Sequence, residues 1–195
     1  MLKPMPPLPE SPADAELIQE ARDGSDDALR QLVNRYLPSV YTFCMRYMGN
    51  SDDAQDAAQE TFLKAWRNLG RFDTKKSFKT WLFAIAKNTA TDIMRKRKSV
   101  VFSKFDNDDD SNVLTDTLTD TEPLPEELFD RALAAGEVQT ALQTLKPRDR
   151  MLLSLRYDEE LSFEDIAKIM KISANTIRSL HRRALMSLRA VLEQK

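Results

Sequence analysis

From Ala13 to about Lys98 the apolar residues recur every three or four positions: Leu29, Leu32, Val33 and Tyr36, then Val40, Phe43, Cys44 and Tyr47. That spacing lines one face of a helix, so the stretch builds its core by packing helices on helices. The expected fold class is all-α. With 195 residues, 42% hydrophobic and 31% charged, there is material for one medium domain or two small ones.

Several function classes lose their parts at once. The 4 glycines, Gly24, Gly49, Gly70 and Gly136, stand too far apart for a phosphate-cradling loop. One cysteine, Cys44, forms no internal disulfide, and one histidine, His181, makes no zinc site by itself. No catalytic, cofactor-binding or metal-ligating set is expected. The proline-rich start, residues 1–12, lacks the apolar centre of a signal peptide and reads as a disordered tail; no run of about 18 apolar residues follows. The expected location is cytoplasmic.

Charge is strongly segregated under a formal net charge of -2. Residues 1–60 carry 5 basic and 11 acidic groups, and residues 61–98 carry 11 and 2. Residues 99–137 carry 2 and 11, and residues 138–195 carry 11 and 7. An acidic strip therefore separates two basic modules, and a polyanionic partner is expected despite the acidic total.

Local signals divide the chain further. Pro38 is expected in a first turn or at a kink, and Gly49-Asn50 followed by Ser51-Asp52-Asp53 ends one helix and caps the next. This second helix starts near Ser51, places Ala54, Ala58, Phe62, Ala65 and Leu69 inward, and ends near Gly70. A loop from Arg71 to Ser77 leads to a third, with Trp81, Leu82, Ile85, Ala86 and Ile93 inside and the cations Arg95-Lys96-Arg97-Lys98 at its negative dipole end. Residues 99–126, with Asp106-Asn107-Asp108-Asp109-Asp110 and Pro123-Leu124-Pro125, read as an acidic flexible linker. Its length, roughly 90 Å if fully extended, suffices to join two separately docked modules. Helices are then expected over Glu127–Leu145 and Pro147–Arg156.

Ser162-Phe163-Glu164-Asp165 is a capping-box start for a short helix carrying Ile166, Ala167, Ile169 and Met170. After the turn Lys171-Ile172-Ser173, a last helix puts Ile177, Leu180, Ala184, Leu188 and Val191 on one side. Asn175, Arg178, Ser179, Arg182, Met186 and Arg189 lie on another. This fits a helix-turn-helix with its second helix in a major groove, where arginine reaches guanine N7 and O6. A two-helix hairpin with a solvated basic face has the same pattern. The turn lacks its usual glycine, so Lys171 takes any left-handed conformation there, at roughly 1 kcal/mol.

The run Asp53-Ala54-Gln55-Asp56-Ala57-Ala58-Gln59-Glu60-Thr61-Phe62-Leu63-Lys64-Ala65-Trp66, with Phe78-Lys79-Thr80-Trp81 through Asn88 and Asp92-Ile93-Met94-Arg95-Lys96-Arg97, resembles region 2 of a bacterial RNA polymerase sigma factor of the extracytoplasmic-function (ECF) group. The helix-turn-helix resembles region 4 of the same family. The resemblance implies region 2 over residues 13–98 and region 4 over residues 127–195, joined by the linker at 99–126. It implies docking on core RNA polymerase, through the beta-prime clamp and the beta flap, with Asp56, Gln59 and Glu60 on the clamp.

For the minus-ten element it implies a base-capturing loop and adjoining helix: Arg71, Phe72, Lys75, Lys76, Ser77, Phe78, Lys79, Asn88, Arg95 and Arg97. Lys96 and Lys98 join the phosphate-holding cations. For the minus-thirty-five element it implies Asn175, Thr176, Arg178, Ser179, Arg182 and Arg183, Arg182 standing where some members carry an aromatic residue. The acidic linker resembles the segment that lies along the nucleic-acid path of the polymerase. The resemblance further implies an anti-sigma factor as partner, which in many members holds the sigma factor at the inner membrane until a stress response releases it. No small-molecule substrate is implied.

Two other readings compete: a stand-alone regulator binding duplex DNA as a dimer through residues 161–192, and, far behind, a metal-dependent nuclease using the acidic cluster. Trp66 and Trp81 are expected as packing residues and Cys44 as a buried apolar one. His181 is expected to be packed or solvent-facing, with a phosphate contact as the alternative.

Overall fold

The structure, a computed structural model, describes residues 13–101 and 137–193. Among these, every regular element is helical: α1 (Asp14–Arg22), α2 (Asp26–Met48), α3 (Ser51–Asn68), α4 (Phe78–Val101), α5 (Glu137–Thr144), α6 (Pro147–Leu153), α7 (Phe163–Met170) and α8 (Ala174–Glu193). A 3-10 turn at Leu69–Arg71 follows α3, and a π-helical turn at Ser154–Asp158 follows α6.

Caps explain most boundaries. Gly49 ends α2 in the left-handed region (φ 73°), its amide donating to the Met45 carbonyl at 2.9 Å. Asn50, not Ser51, caps α3, its side-chain oxygen accepting from the Asp53 amide at 3.0 Å. A break absent from the sequence expectation separates α1 from α2: Gly24 turns the chain at φ 97°, and Ser25 accepts from the Ala28 amide. Pro38 lies in the middle of α2 rather than in a first turn. The helix passes through it because Tyr36, Val40 and Phe43, buried on either side, keep their packing while one backbone bond is lost.

Further along, α4 runs through Val101, three residues past the expected end. The helix expected over Glu127–Leu145 is described only as Glu137–Thr144, and the one expected to reach Arg156 changes to the π turn after Leu153. The tail at 1–12, linker residues 102–126 with the Asp106–Asp110 run, and residues 127–136 lie outside the described residues.

The core of α1 to α4 holds Leu17, Leu32, Phe43, Phe62, Leu82 and Phe83. Phe43 and Phe83 meet edge to face with centroids 5.4 Å apart. Burial pushes the Cys44 thiol up to about 12, so it behaves as an inert core group. Arg22 ties α1 to the turn after α3, donating to the Leu69 carbonyl at 2.9 Å and to the Phe72 carbonyl. The loop before α4 is thereby anchored at its entrance.

The sequence suggested two modules docking apart. In the structure they pack on each other: α7 lies against α4 and α6 against α2, and Met151, Leu152, Leu155, Leu161, Ile166 and Ile169 join the same buried core as Phe43 and Phe83. A second, smaller core holds Ala141, Leu142, Leu145, Leu153, Ala184, Leu185 and Leu188.

Candidate nucleic-acid interface

The C-terminal basic site is built by capping chemistry. Ser162 accepts from the Asp165 amide at 3.1 Å to open α7, and Lys171 closes it in the left-handed conformation (φ 58°, ψ 41°). Ser173 accepts from the Thr176 amide at 3.1 Å at the start of α8. The Asp165 carboxyl is raised by burial, but hydrogen bonds from Lys168, Ser162 and Thr80 outweigh this and hold it below the usual carboxylate range. With Ile177, Leu180, Ala184 and Leu188 buried, α8 leaves Asn175, Arg178 and Ser179 exposed and Thr176, Arg182 and Arg183 half-buried.

Arg178 pairs with Glu164 at 2.6 Å and donates to Asn175 at 3.0 Å. Both partners of the ion pair are exposed, so it is worth at most about 1 kcal/mol and exchanges readily for an external acceptor. His181 is packed: its ring lies 5.7 Å from Tyr157 and 5.2 Å from Phe163, with Nε2 3.1 Å from the Tyr157 hydroxyl.

The N-terminal basic site is rearranged relative to expectation. Arg71, Lys75, Lys76 and Ser77 are exposed in the loop, and Ser77 also caps α4 through the Thr80 amide at 3.2 Å. Phe72 and Phe78, expected beside an extruded base, are instead only 6% and 3% exposed and pack on each other, on Trp81 and, for Phe78, on Tyr36. Their side chains are needed to seal the core beneath the loop. Trp81, expected as packing, is half-buried and also lines an open pocket of about 350 Å³ with Arg71, Asn88, Lys64, Asn68, Ile85 and Thr89.

The fold thus brings Arg71 and Asn88 to one pocket. Lys64 and Asn68 were missed as lining residues. Their spacing to Arg71, four and then three residues, was the signal that they face the same side. Arg95 is exposed, while Arg97 is paired with Asp53 of α3.

Lys79 points elsewhere. Its ammonium lies 2.9 Å from Glu159 Oε2 and donates to the Glu159 carbonyl at 2.8 Å. The Glu159 side chain is 4% exposed. Beside it, Asp158 pairs with Arg46 of α2 at 2.8 Å and accepts from the Ser154 hydroxyl at 2.7 Å. Burial pushes the Asp158 carboxyl up, with Ser154 and Arg46 partly opposing.

On the outer side of α3, Asp56 and Gln59 are exposed and Glu60 half-exposed, with Lys64 3.7 Å from Glu60. Leu63, 48% exposed, continues this stripe at helical spacing and was missed. Leu63 thus adds an apolar side chain to an otherwise polar helix face. Among the described residues no group of His, Cys, Asp and Glu is placed to hold a metal ion, and no helix is long and apolar enough to cross a membrane.

The fold thus presents a helix-turn-helix with a cationic outer face and a second basic helical surface with a polar pocket. The family model for Sigma-70 region 2 matches residues 32–100, and that for Sigma-70, region 4 matches residues 141–190. The chain is 30% identical over 168 residues to the ECF RNA polymerase sigma factor SigW of Bacillus subtilis (strain 168), covering 85% of this chain and 89% of the relative. It is 33% identical over 175 residues to the RNA polymerase sigma-H factor of Pseudomonas aeruginosa, covering 85% and 86%.

Among solved structures, the sigma factor RpoE from Bartonella quintana, in complex with the anti-sigma factor NepR, matches with a TM-score of 0.63 and 28% identity, covering 84% of this chain and 96% of that one. CnrH, in complex with the cytosolic domain of CnrY, shares the fold with a TM-score of 0.67 at 23% identity, covering 94% and 99%. The chain belongs to the ECF group of the sigma-70 family of RNA polymerase sigma factors, and its function is to direct promoter-specific transcription initiation.

Proposed function

We propose that the two basic surfaces divide the promoter between them, residues 13–98 acting as region 2 and residues 127–195 as region 4, with the acidic stretch 99–126 as the strap along the polymerase. In this reading Asp56, Gln59 and Glu60, with Leu63 as apolar anchor, dock on the beta-prime clamp, and region 4 meets the beta flap. An extruded minus-ten base is held at the pocket where Arg71 and Asn88 converge beside Trp81. Stacking and edge hydrogen bonds offset an unpairing cost of a few kcal/mol. Lys75, Lys76, Lys79, Arg95 and Arg97 hold phosphates. Ser77 shapes the loop as a cap, and Phe72 and Phe78 support it from below.

Asn175, Thr176, Arg178, Ser179, Arg182 and Arg183 face the minus-thirty-five element. The protein catalyses no reaction itself, works in the cytoplasm, and is restrained by an anti-sigma factor. The pocket shared by Arg71 and Asn88 is the observation that carries the region 2 assignment. A stand-alone dimeric regulator accounts for the helix-turn-helix and leaves that pocket without a purpose.

Arg178→Ala and Arg182→Ala each cost roughly 1 to 3 kcal/mol at particular upstream base pairs, read by run-off transcription across a set of single-base promoter variants. A uniform loss over the whole set would show that these arginines hold phosphates and do not read bases.

A further inference from the structure

Arg22 occupies the last turn of α1, and the break at Gly24-Ser25 ends that helix where its guanidinium meets the C-terminal end of α3. Two helix ends, each with unpaired carbonyls and the negative end of a dipole, therefore share one cation. Its contacts end on main-chain oxygens. Nε and Nη2 donate to the Leu69 carbonyl at 3.1 and 2.9 Å, and Nη2 also donates to the Phe72 carbonyl. The Phe72 amide donates to the same Leu69 carbonyl at 3.1 Å. These two carbonyls bracket Gly70 and Arg71, so the short segment that carries Arg71 to the pocket is held at both ends.

The brace has a firm base. Leu17 and Ile18 of α1 are buried in the core, and Asp14 at the other end of the helix takes Arg35 at 2.6 Å and the Tyr36 hydroxyl. Beyond Phe72 the loop stiffens itself: Asp73 accepts from the Lys75 amide at 3.1 Å through Oδ1 and from the Lys76 amide at 2.9 Å through its carbonyl, and Ser77 caps α4. The Leu69–Phe72 segment instead takes its support from another helix.

We propose that Arg22 is the positioning residue of the minus-ten pocket: by holding the Leu69 and Phe72 carbonyls it sets Arg71 at the pocket shared with Asn88, so that an extruded base meets a site already formed. This rests on the reading of that pocket as the base-capturing one. Arg22 acts through Arg71 and is itself assigned no contact with DNA. A site formed beforehand loses less conformational freedom on binding than one ordered by its ligand. The planar fork of arginine reaches both carbonyls at once, which a lysine ammonium does with fewer and less directed bonds.

The test uses the full chain as wild type, Arg22→Ala, Arg22→Lys, Arg71→Ala and the double variant Arg22→Ala/Arg71→Ala. Amide hydrogen exchange without DNA or polymerase measures the brace. In Arg22→Ala the Phe72 amide exchanges about tenfold faster, while the Lys76 amide, held by Asp73, stays within about twofold of wild type; Arg22→Lys falls between. Run-off transcription with core polymerase measures the consequence, on a promoter selected from genomic fragments and its single-base variants. Arg22→Ala lowers discrimination at one minus-ten position about tenfold and leaves minus-thirty-five discrimination unchanged. Arg22→Lys recovers part of it, and the double variant discriminates no worse than Arg71→Ala alone.

An unchanged Phe72 exchange rate in Arg22→Ala would overturn the proposal. So would faster exchange with intact minus-ten discrimination, equal losses at both promoter elements, or losses that add in the double variant. Exchange involves no DNA, so failure of the brace appears there. Failure of the pocket reading, which would take the proposal with it, appears instead as wild-type chain that supports no run-off transcription.

Discussion

Replacing Phe83 by alanine lowers the thermal midpoint by roughly 6 to 20 °C, the largest stability effect expected of any single side chain here. Phe83 is fully buried on α4 and meets Phe43 of α2 edge to face, in the core that α6 and α7 also join. Truncating a buried phenylalanine removes its transfer energy and leaves a cavity, together about 3 to 5 kcal/mol. For a chain of this size each kcal/mol moves the midpoint by about 2 to 4 °C. Because one core serves both helical groups, the transition remains single, and calorimetry reads it directly. A midpoint within 2 °C of wild type, or two separated transitions with only one displaced, would show that the groups do not share this core.

The second large effect concerns the outer stripe of α3. Reversing two charges with Asp56→Lys and Glu60→Lys weakens holoenzyme formation by roughly a hundredfold, about 3 kcal/mol, since like charges brought together across an interface cost several kcal/mol. Asp56 is exposed and Glu60 makes only a loose pair with Lys64, so the variant keeps its fold. A binding titration against core polymerase measures the loss, and thermal unfolding serves as the control. Undiminished affinity would move the docking face elsewhere on α2 or α3.

The helices were legible because their apolar spacing and caps are local. Gly49 and Ser162 announced boundaries that the structure keeps, and Lys171 takes the left-handed turn that the sequence required of it. The break at Gly24-Ser25 was hidden by apolar spacing that continues across it. Of the two places expected for Pro38, the first turn is excluded because α2 begins twelve residues earlier, and tertiary packing of its neighbours carries the helix through it.

The pocket was half legible. Arg71 and Asn88 were named, but whether Phe72, Phe78 or Trp81 borders it depends on which rings fill the core, and three aromatics within ten residues look alike in sequence. Least legible was the Asp158–Glu160 turn. Three acids after a helix carry no apolar spacing to place them, and only the packing of α6 on α2 and α7 on α4 brings Asp158 to Arg46 and Glu159 to Lys79.

The most direct measurement of the central claim is single-round run-off transcription with purified core polymerase on genomic fragments, with the protein present or absent. The account predicts discrete start sites that depend on the added protein, preceded by shared minus-ten and minus-thirty-five sequences, and lost with Asp56→Lys/Glu60→Lys. Tight binding of the protein to duplex DNA with no start sites from the polymerase would contradict it.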